Sequence, residues 1–276
     1  MALNCYAAVP DGGLLRIRTQ PRARRTELAR DPGAYRDRVP PLAPFASVLA
    51  AYAGGETDVE LRLRSSLGED EALPGGFFFR TPDELMDFER YAVDLCRGCV
   101  LDLGAGAGPH TLALEARGRR VVAVEGSADV ARLLRARGAA HVVHADFRHW
   151  WRPGFDTVLM LMNGLGPVGT LAGLDRFLAH APRFLAPGGQ LLVDGAEAAP
   201  SRRSRAAMAA SWPSVGEYPG EAWIELSHAD RVGRPFRELY IDPETLARRA
   251  ARAGWRLDVV FEGGDGAYLA RLTRPA

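Results

Sequence analysis

The chain has 276 residues, 47% of them hydrophobic and 25% charged, with a formal net charge of +1. That is enough for one large α/β domain or a domain with an appendage, and the composition is that of an ordinary globular protein. The near-neutral balance gives no global attraction to nucleic acid or membrane, and a set of basic residues made up wholly of arginine excludes lysine Schiff-base and P-loop chemistry.

Residues 1–45 read as poorly organised. Arg16, Arg18, Arg22, Arg24, Arg25 and Arg30 crowd a short segment, and Pro32, Pro40, Pro41 and Pro44 follow. The reading is a solvated surface element, with a phosphate-contacting arm as the alternative. No basic–apolar–small leader opens the chain, and no apolar run is long enough to span a membrane, so the expected location is cytoplasmic. Residues 44–53 suit a short helix ended by Gly54-Gly55. Val59, Leu61 and Leu63 alternate with charged residues as in a half-buried strand, and 68–76 reads as a loop. Phe77-Phe78-Phe79-Arg80 precedes Thr81-Pro82-Asp83-Glu84, a helix start with an N-cap threonine, proline at the first position and a capping glutamate. That helix should run to Leu95.

Next comes Val100-Leu-Asp-Leu-Gly-Ala-Gly-Ala-Gly-Pro-His110: an apolar strand, a glycine turn and a helix. Glycines at 104, 106 and 108 let the backbone turn tightly and approach a ligand closely. The following helix start offers N–H groups to the same space. Strands are then expected at 121–125, 141–145, 155–162 and 190–194, alternating with helices at 111–117, 128–137 and 170–185. Apolar strands alternating with amphipathic helices mean a parallel sheet covered on both faces, with ligands gathering at the carboxyl ends of its strands. Those ends carry Asp102, Glu125, Asp146 and Asn163. The last third changes character: a helix at 199–210 carrying Arg202, Arg203 and Arg205, a hairpin of 223–231 and 235–241 joined at Gly233, a helix from Asp242 to Arg252, and a final hairpin of 255–262 and 267–273.

A dinucleotide turn wants G-x-G-x-x-G, but here the third glycine comes one place early and Pro109 takes its position. The run Asp102-x-Gly104-x-Gly106-x-Gly108 instead resembles the first motif of the class I S-adenosylmethionine-dependent methyltransferases. The resemblance covers residues 77–195 closely and 243–276 loosely. It implies a Rossmann-like methyltransferase fold: a seven-stranded, mostly parallel sheet with an antiparallel last strand and helices on both faces. It also implies a methyltransferase domain over 76–276 with an insertion at about 200–241. Residues 1–75 would be an extension that covers the substrate. In that family the acid ending the second strand, here Glu125, holds both ribose hydroxyls, as a carboxylate with two acceptor oxygens can. The acid ending the third strand, here Asp146, binds the adenine amino group, and Phe147 lies against the ring. Ala105, His110, Gly126, Met162 and Asn163 complete the expected cofactor contacts. Arg80 is the candidate partner for the cofactor's carboxylate.

The resemblance implies methyl transfer to an O, N or C atom of a small-molecule acceptor, with S-adenosylmethionine as donor and alignment as the main source of rate. Asn163, where the methyl group should emerge, and His149, an imidazole with a pKa near neutrality, are the catalytic candidates; the catalytic group itself stays open. His144 is expected in the core, and Trp150 and Trp151 either line the pocket or pack inside. Asn163-Gly-Leu-Gly166 departs from the Asn/Asp-Pro-Pro-aromatic run of adenine and glutamine amide methyltransferases, which weighs against those substrates. A protein or nucleic-acid acceptor, a nicotinamide dehydrogenase and a non-catalytic binding module are the alternatives. Cys96-Arg-Gly-Cys99 has CxxC spacing, but no second pair or histidine cluster accompanies it, so no metal is expected. With Cys5, these three cysteines suggest a reducing compartment.

Overall fold

The structure, a computed structural model, describes residues 38–68, 70–197, 212, 218–263 and 266–275. The basic segment from Arg16 to Arg30, Pro32, Cys5 and the helix expected at 199–210 lie outside the described residues. Its helices are α1 (Ala43–Ala53), α2 (Asp87–Leu95), α3 (Pro109–Ala116), α4 (Ala128–Ala136), α5 (Leu171–His180) and α6 (Pro243–Arg252). The early strands are β1 (Glu60–Ser65), β2 (Glu71–Pro74), β3 (Cys99–Leu103), β4 (Arg120–Glu125), β5 (Val142–His144) and β6 (Phe155–Met160). The later ones are β7 (Leu185–Ala196), β8 (Glu221–His228), β9 (Arg231–Val232), β10 (Phe236–Leu239), β11 (Arg256–Glu262) and β12 (Ala267–Thr273).

Seven strands form the main sheet in the order β11-β12-β7-β6-β3-β4-β5. β3, β4, β5, β6 and β7 pair in parallel, while β12 runs antiparallel to both its neighbours. This is the Rossmann-like arrangement the alternating pattern predicts, with β12 as its antiparallel last strand. Successive residues of a strand point to opposite faces, and here both faces are dry. Val100, Leu159 and Leu192 pack under α2 and α3. Leu101, Val158 and Val193 pack on the other side against Leu174, Phe177, Phe184 and Leu246.

A second, five-stranded antiparallel sheet is built from two segments far apart in sequence: β1 and β2 from one, β8, β9 and β10 from the other. Arg62 pairs with Ser227 and Ser65 with Ile224, so β1 sits beside β8. Its inner face (Leu61, Ile224, Leu226) packs with Val48 and Leu49 of α1 and Val130 of α4, a cluster that also holds Phe78 and Tyr240. No helix among the described residues is long and apolar enough to cross a membrane.

Three local expectations give way to the structure. The helix expected from Thr81 splits in two. Glu84 closes its capping box on the Thr81 N–H at 2.8 Å, ending a single turn, Pro82–Glu84. Leu85 then turns extended into the core and Glu89 caps a fresh helix at the Met86 N–H, also at 2.8 Å. The hairpin turn falls at Ala229-Asp230, with Ala229 at φ 50°, and not at Gly233. Gly233 is glycine because the N-terminal segment crosses it: a Cβ there would stand 2.6 Å from the Pro41 carbonyl. The loop read at 68–76 contains β2, which pairs with β1 from Glu71 to Pro74.

Candidate functional site

The three glycines after β3 have φ of 78°, 56° and 89°, the left-handed region that side chains disfavour. Each has its own reason to lack a Cβ. At Gly108 one would strike Leu134 Cδ1 at 2.2 Å, whereas at Gly104 it would meet nothing within 4 Å and project into open space. The turn is anchored to β4, since Gly104 and Ala105 donate to the Val124 carbonyl at 2.8 and 3.2 Å. Gly106 donates to Glu125 Oε2 at 3.0 Å and Ser127 to Oε1 at 2.7 Å. The N–H groups expected to reach a ligand are therefore partly spent on shaping the turn. Each oxygen of Glu125 keeps a lone pair for a further donor. Burial pushes the Glu125 carboxyl upward, against the backbone N–H bonds that favour its charge. Asp102, 2% exposed, accepts from Thr111 Oγ1 at 2.5 Å, and burial raises its pKa as well.

Beyond β6 the chain makes a strained turn. Met162 and Asn163 are both left-handed, at φ 66° and 55°, without being glycine. Asp194 of β7 over-determines them by accepting the Asn163 N–H at 3.0 Å and the Gly164 N–H at 2.8 Å. Gly164 is obligatory here, because a Cβ would lie 2.2 Å from the Met160 carbonyl.

The glycine turn, the Asn163 turn and the small sheet enclose one cavity of about 1030 Å³. Asp102, Glu125, Asp146 and Asn163 line it from the main sheet, and Leu61, Phe236, Glu238 and Tyr240 from the small one. Its volume is at the top of the range of about 300–1,000 Å³ seen for ligand pockets. Glu238 of β10 receives Asn163 Nδ2 at 3.4 Å and the Tyr240 hydroxyl at 3.3 Å, both on Oε2.

Residues 100–189 match the model of a methyltransferase domain family. An S-adenosylmethionine-dependent methyltransferase from Bacteroides fragilis, solved in complex with S-adenosyl-L-homocysteine, is 29% identical with a TM-score of 0.76. The match covers 87% of this chain and 98% of that one. The chain carries an S-adenosylmethionine-dependent methyltransferase domain. The CcbJ methyltransferase from Streptomyces caelestis shares the fold at 20% identity and a TM-score of 0.53, over 71% of this chain and 93% of that one. No curated protein matches the sequence. The dehydrogenase alternative falls here, and Pro109 takes its place as the first residue of α3.

Within the methyltransferase cavity the structure brings together Asp102, Gly104, Ala105, Gly106, His110, Glu125, Gly126, Asp146, Phe147, Met162 and Asn163. Gly108 stands just behind them as the N-cap of α3. Phe147 reaches the wall from the core, edge-on to Phe177 at 5.9 Å. Asp146 is clasped by its own neighbour: Arg148 Nη2 lies 2.7 Å from Oδ2 and Arg148 Nε 2.9 Å from Oδ1. That pairing holds its carboxyl below the usual range.

Three expectations are corrected, for Arg80, His149 and His144, while of the two tryptophans Trp150 takes the packed alternative. Arg80 does not line the cavity; it lies over the Phe77 ring and pairs with buried Glu89 at 2.5 Å. His149 is on the outer surface, 84% exposed, 3.4 Å from Asp146. His144 is exposed at the end of edge strand β5 and not in the core. Trp150 stacks on Phe184 and Trp151 lies outside under Arg183, so neither forms the pocket wall. Cys96 is buried, its thiol pushed up to about 12 by burial, and Cys99 opens β3. Among the described residues no group of three or more His, Cys, Asp or Glu is placed to hold a metal ion.

Residues that sequence reasoning passed over are Glu89, Asp194, Glu238 and Tyr240. A carboxylate within the apolar strand of Leu191, Leu192 and Val193 was the available signal for Asp194. Glu238 carries no local pattern, because only the pairing of β10 with β8 brings it to the cavity.

Proposed function

We propose that this methyltransferase moves a methyl group from S-adenosylmethionine to a small-molecule acceptor held between the strand ends and the small sheet. The observation that carries the reading is the cavity of about 1030 Å³, walled by the glycine turn on one side and by β1, β8 and β10 on the other. The donor half fits an adenosyl ligand. Gly104 leaves room against the backbone, Glu125 keeps acceptor capacity for adjacent hydroxyls, and Asp146 with Phe147 marks the place for an amino-bearing ring. The bound donor supplies a methyl group already activated by its sulfonium. What the protein adds is alignment, the exclusion of water, and Asn163 and Glu238 at the acceptor side.

In this reading the extension within residues 1–75 and the insertion at about 200–241 form the acceptor cover, since β1, β2, β8, β9 and β10 come from them. A small-molecule acceptor is favoured over a macromolecular one because the cavity's volume is of the size that takes small ligands. A cytoplasmic setting fits the unbridged Cys96 and Cys99. Isothermal calorimetry tests the donor half: S-adenosylhomocysteine should bind and NADH should not. Glu125→Gln, which keeps one acceptor oxygen and loses the charge, should weaken S-adenosylhomocysteine by about tenfold, as loss of a charge-assisted hydrogen bond does. Unchanged affinity in that variant would misplace the ribose end.

A further inference from the structure

Glu238 is a carboxylate in an unusual position. It sits in the wall of the cavity, opposite the Asn163 turn, on a strand whose neighbours are apolar or already engaged. Both hydrogen bonds it accepts fall on Oε2, leaving Oε1 without a donor among the described residues. Of the arginines, Arg237 pairs with Glu221 at 2.6 Å, Arg64 with Glu225 at 2.9 Å and Arg38 with Glu225. Arg148, which clasps Asp146, and Arg176 of α5 also line the cavity without an ion pair to Glu238. No arginine or histidine among the described residues pairs with Glu238. The cavity it lines carries an apolar set of walls, including Phe45, Leu61, Phe78, Leu226 and Phe236.

Resting on the reading above, we propose that the methyl acceptor is an amine carried on an apolar body, and that Glu238 binds its ammonium and takes its proton. Glu238 is half-buried, and a carboxylate withdrawn from water is costly unless a partner compensates its charge. An ammonium supplies the missing opposite charge and three donors, one of which suits Oε1; a neutral hydroxyl supplies a donor but no charge. Asn163 Nδ2 and the Tyr240 hydroxyl hold Oε2 and so fix the direction of Oε1.

The proton balance is simple. The ammonium passes one proton to Glu238 Oε1, which frees the nitrogen lone pair. The N–C bond forms as the donor's C–S bond breaks, with that electron pair staying on sulfur. The methylated product leaves as an ammonium, and Glu238 returns its proton to water. Burial suits the residue to this, because it pushes the Glu238 pKa up to about 7 against the two hydrogen bonds that lower it. An acceptor group tuned near neutrality exchanges protons most effectively at that pH.

The groups facing Glu238 are few. Tyr240 comes just after its strand, Ala222 pairs with it from β8, and beneath the Asn163 turn Asp194 is held by the Asn163 and Gly164 N–H groups. Glu221, next along β8, is neutralised by Arg237. Amine binding should therefore strengthen as pH rises through about 7, where Glu238 ionises, and weaken again once the amine itself loses its proton.

The test is calorimetry on the full chain saturated with S-adenosylhomocysteine, using 2-phenylethylamine and its neutral isostere 2-phenylethanol. At pH 8 the amine should bind at least about tenfold more tightly than the alcohol, the scale of one charge-assisted contact. Glu238→Gln should erase that preference while S-adenosylhomocysteine affinity stays within about twofold, and Glu238→Asp should restore part of it. Thermal melting of each variant checks that it is folded. Equal binding of the two probes, binding of neither, or a preference that survives in Glu238→Gln overturns the amine proposal. Failure of S-adenosylhomocysteine to bind the wild-type chain would overturn the donor reading instead, so the two failures are separable.

Discussion

Glu89 shows most clearly how the site is supported from behind. Its side chain is fully buried and accepts from His110 Nε2 at 2.8 Å, Arg80 Nη2 at 2.5 Å and the Met86 N–H at 2.8 Å. His110 stands in the first turn of α3 and lines the cavity, so this network ties the glycine turn to α2. Glu89→Gln keeps the shape but removes the charge that balances Arg80, and its amide must turn an N–H toward an existing donor. Breaking a buried ion pair costs about 3–5 kcal/mol, a large part of the roughly 5–15 kcal/mol that holds a domain folded. At about 2–4 °C per kcal/mol for a chain of this size, the melting temperature should fall by about 6–20 °C. Burial alone would raise the Glu89 pKa, but the His110 and Arg80 interactions outweigh it and hold it below the ordinary value. A depressed folded pKa gives stability that is fully present above the unfolded value of about 4.3 and lost as pH falls through the folded one. The gap between wild type and Glu89→Gln should thus be full at pH 7 and close in acid. Urea titrations at pH 7 and below pH 4 measure it. A pH 7 loss under about 1 kcal/mol, well below the cost of an unpaired buried charge, or a gap that persists in acid, refutes the argument.

Other outcomes follow from the same coordinates. Arg80→Ala should destabilise the fold while leaving S-adenosylhomocysteine affinity within about twofold, because Arg80 faces Glu89 and Phe77 and not the cavity; a tenfold affinity loss in a stable variant would make it a ligand group after all. Gly104→Ala and Gly108→Ala share a left-handed φ, worth about 1–2 kcal/mol of strain each, but only Gly108→Ala also meets Leu134. Denaturant titration should find Gly108→Ala the less stable, whereas calorimetry should find Gly104→Ala the more impaired in S-adenosylhomocysteine binding. The reverse order would mean the two glycines have been assigned the wrong roles. Asp194→Ala removes the acceptor that holds the left-handed Met162-Asn163 pair, and should cost about 2–4 kcal/mol from two lost buried hydrogen bonds. A variant as stable as wild type by urea titration would show that the turn holds without it.

The main sheet was legible because its central strands, β3, β4, β6 and β7, are buried on both faces and so read as continuous apolar runs. Ser127 and Asp242 cap the helices they were expected to start, with Val130 and Thr245 as their donors. The small sheet was legible only in pieces. β1 alternates plainly, but nothing local says that its partner lies beyond residue 220. The misread turn at Gly233 has the same origin: its glycine answers to Pro41, a tertiary neighbour, and not to a hairpin. At the site, the residues that follow from strand order came out in the cavity. Arg80 and His149 did not, because each was placed by proximity in sequence to a site residue. Arg80 is held by Glu89, the carboxylate nearest to it in space, and His149 follows Asp146 round the loop onto the outer surface.

This division between local and tertiary determinants runs through the site itself. The donor half is held mainly by backbone: glycine φ angles, N–H bonds to the Val124 carbonyl, and Glu125 as a bracket for the turn. Little there can change without loosening the main sheet. In the proposed reading the acceptor half is written in side chains of β1, β8 and β10, on a sheet joined to the main one through α1 and the Asn163 turn. Phe236 and Glu238 can vary in shape and charge at small cost to the strand ladder that carries them, since both contribute to the cavity through side chains alone. Donor recognition and acceptor choice are therefore separable on physical grounds. The first is fixed by the fold, and the second is set by a few residues that the fold only delivers.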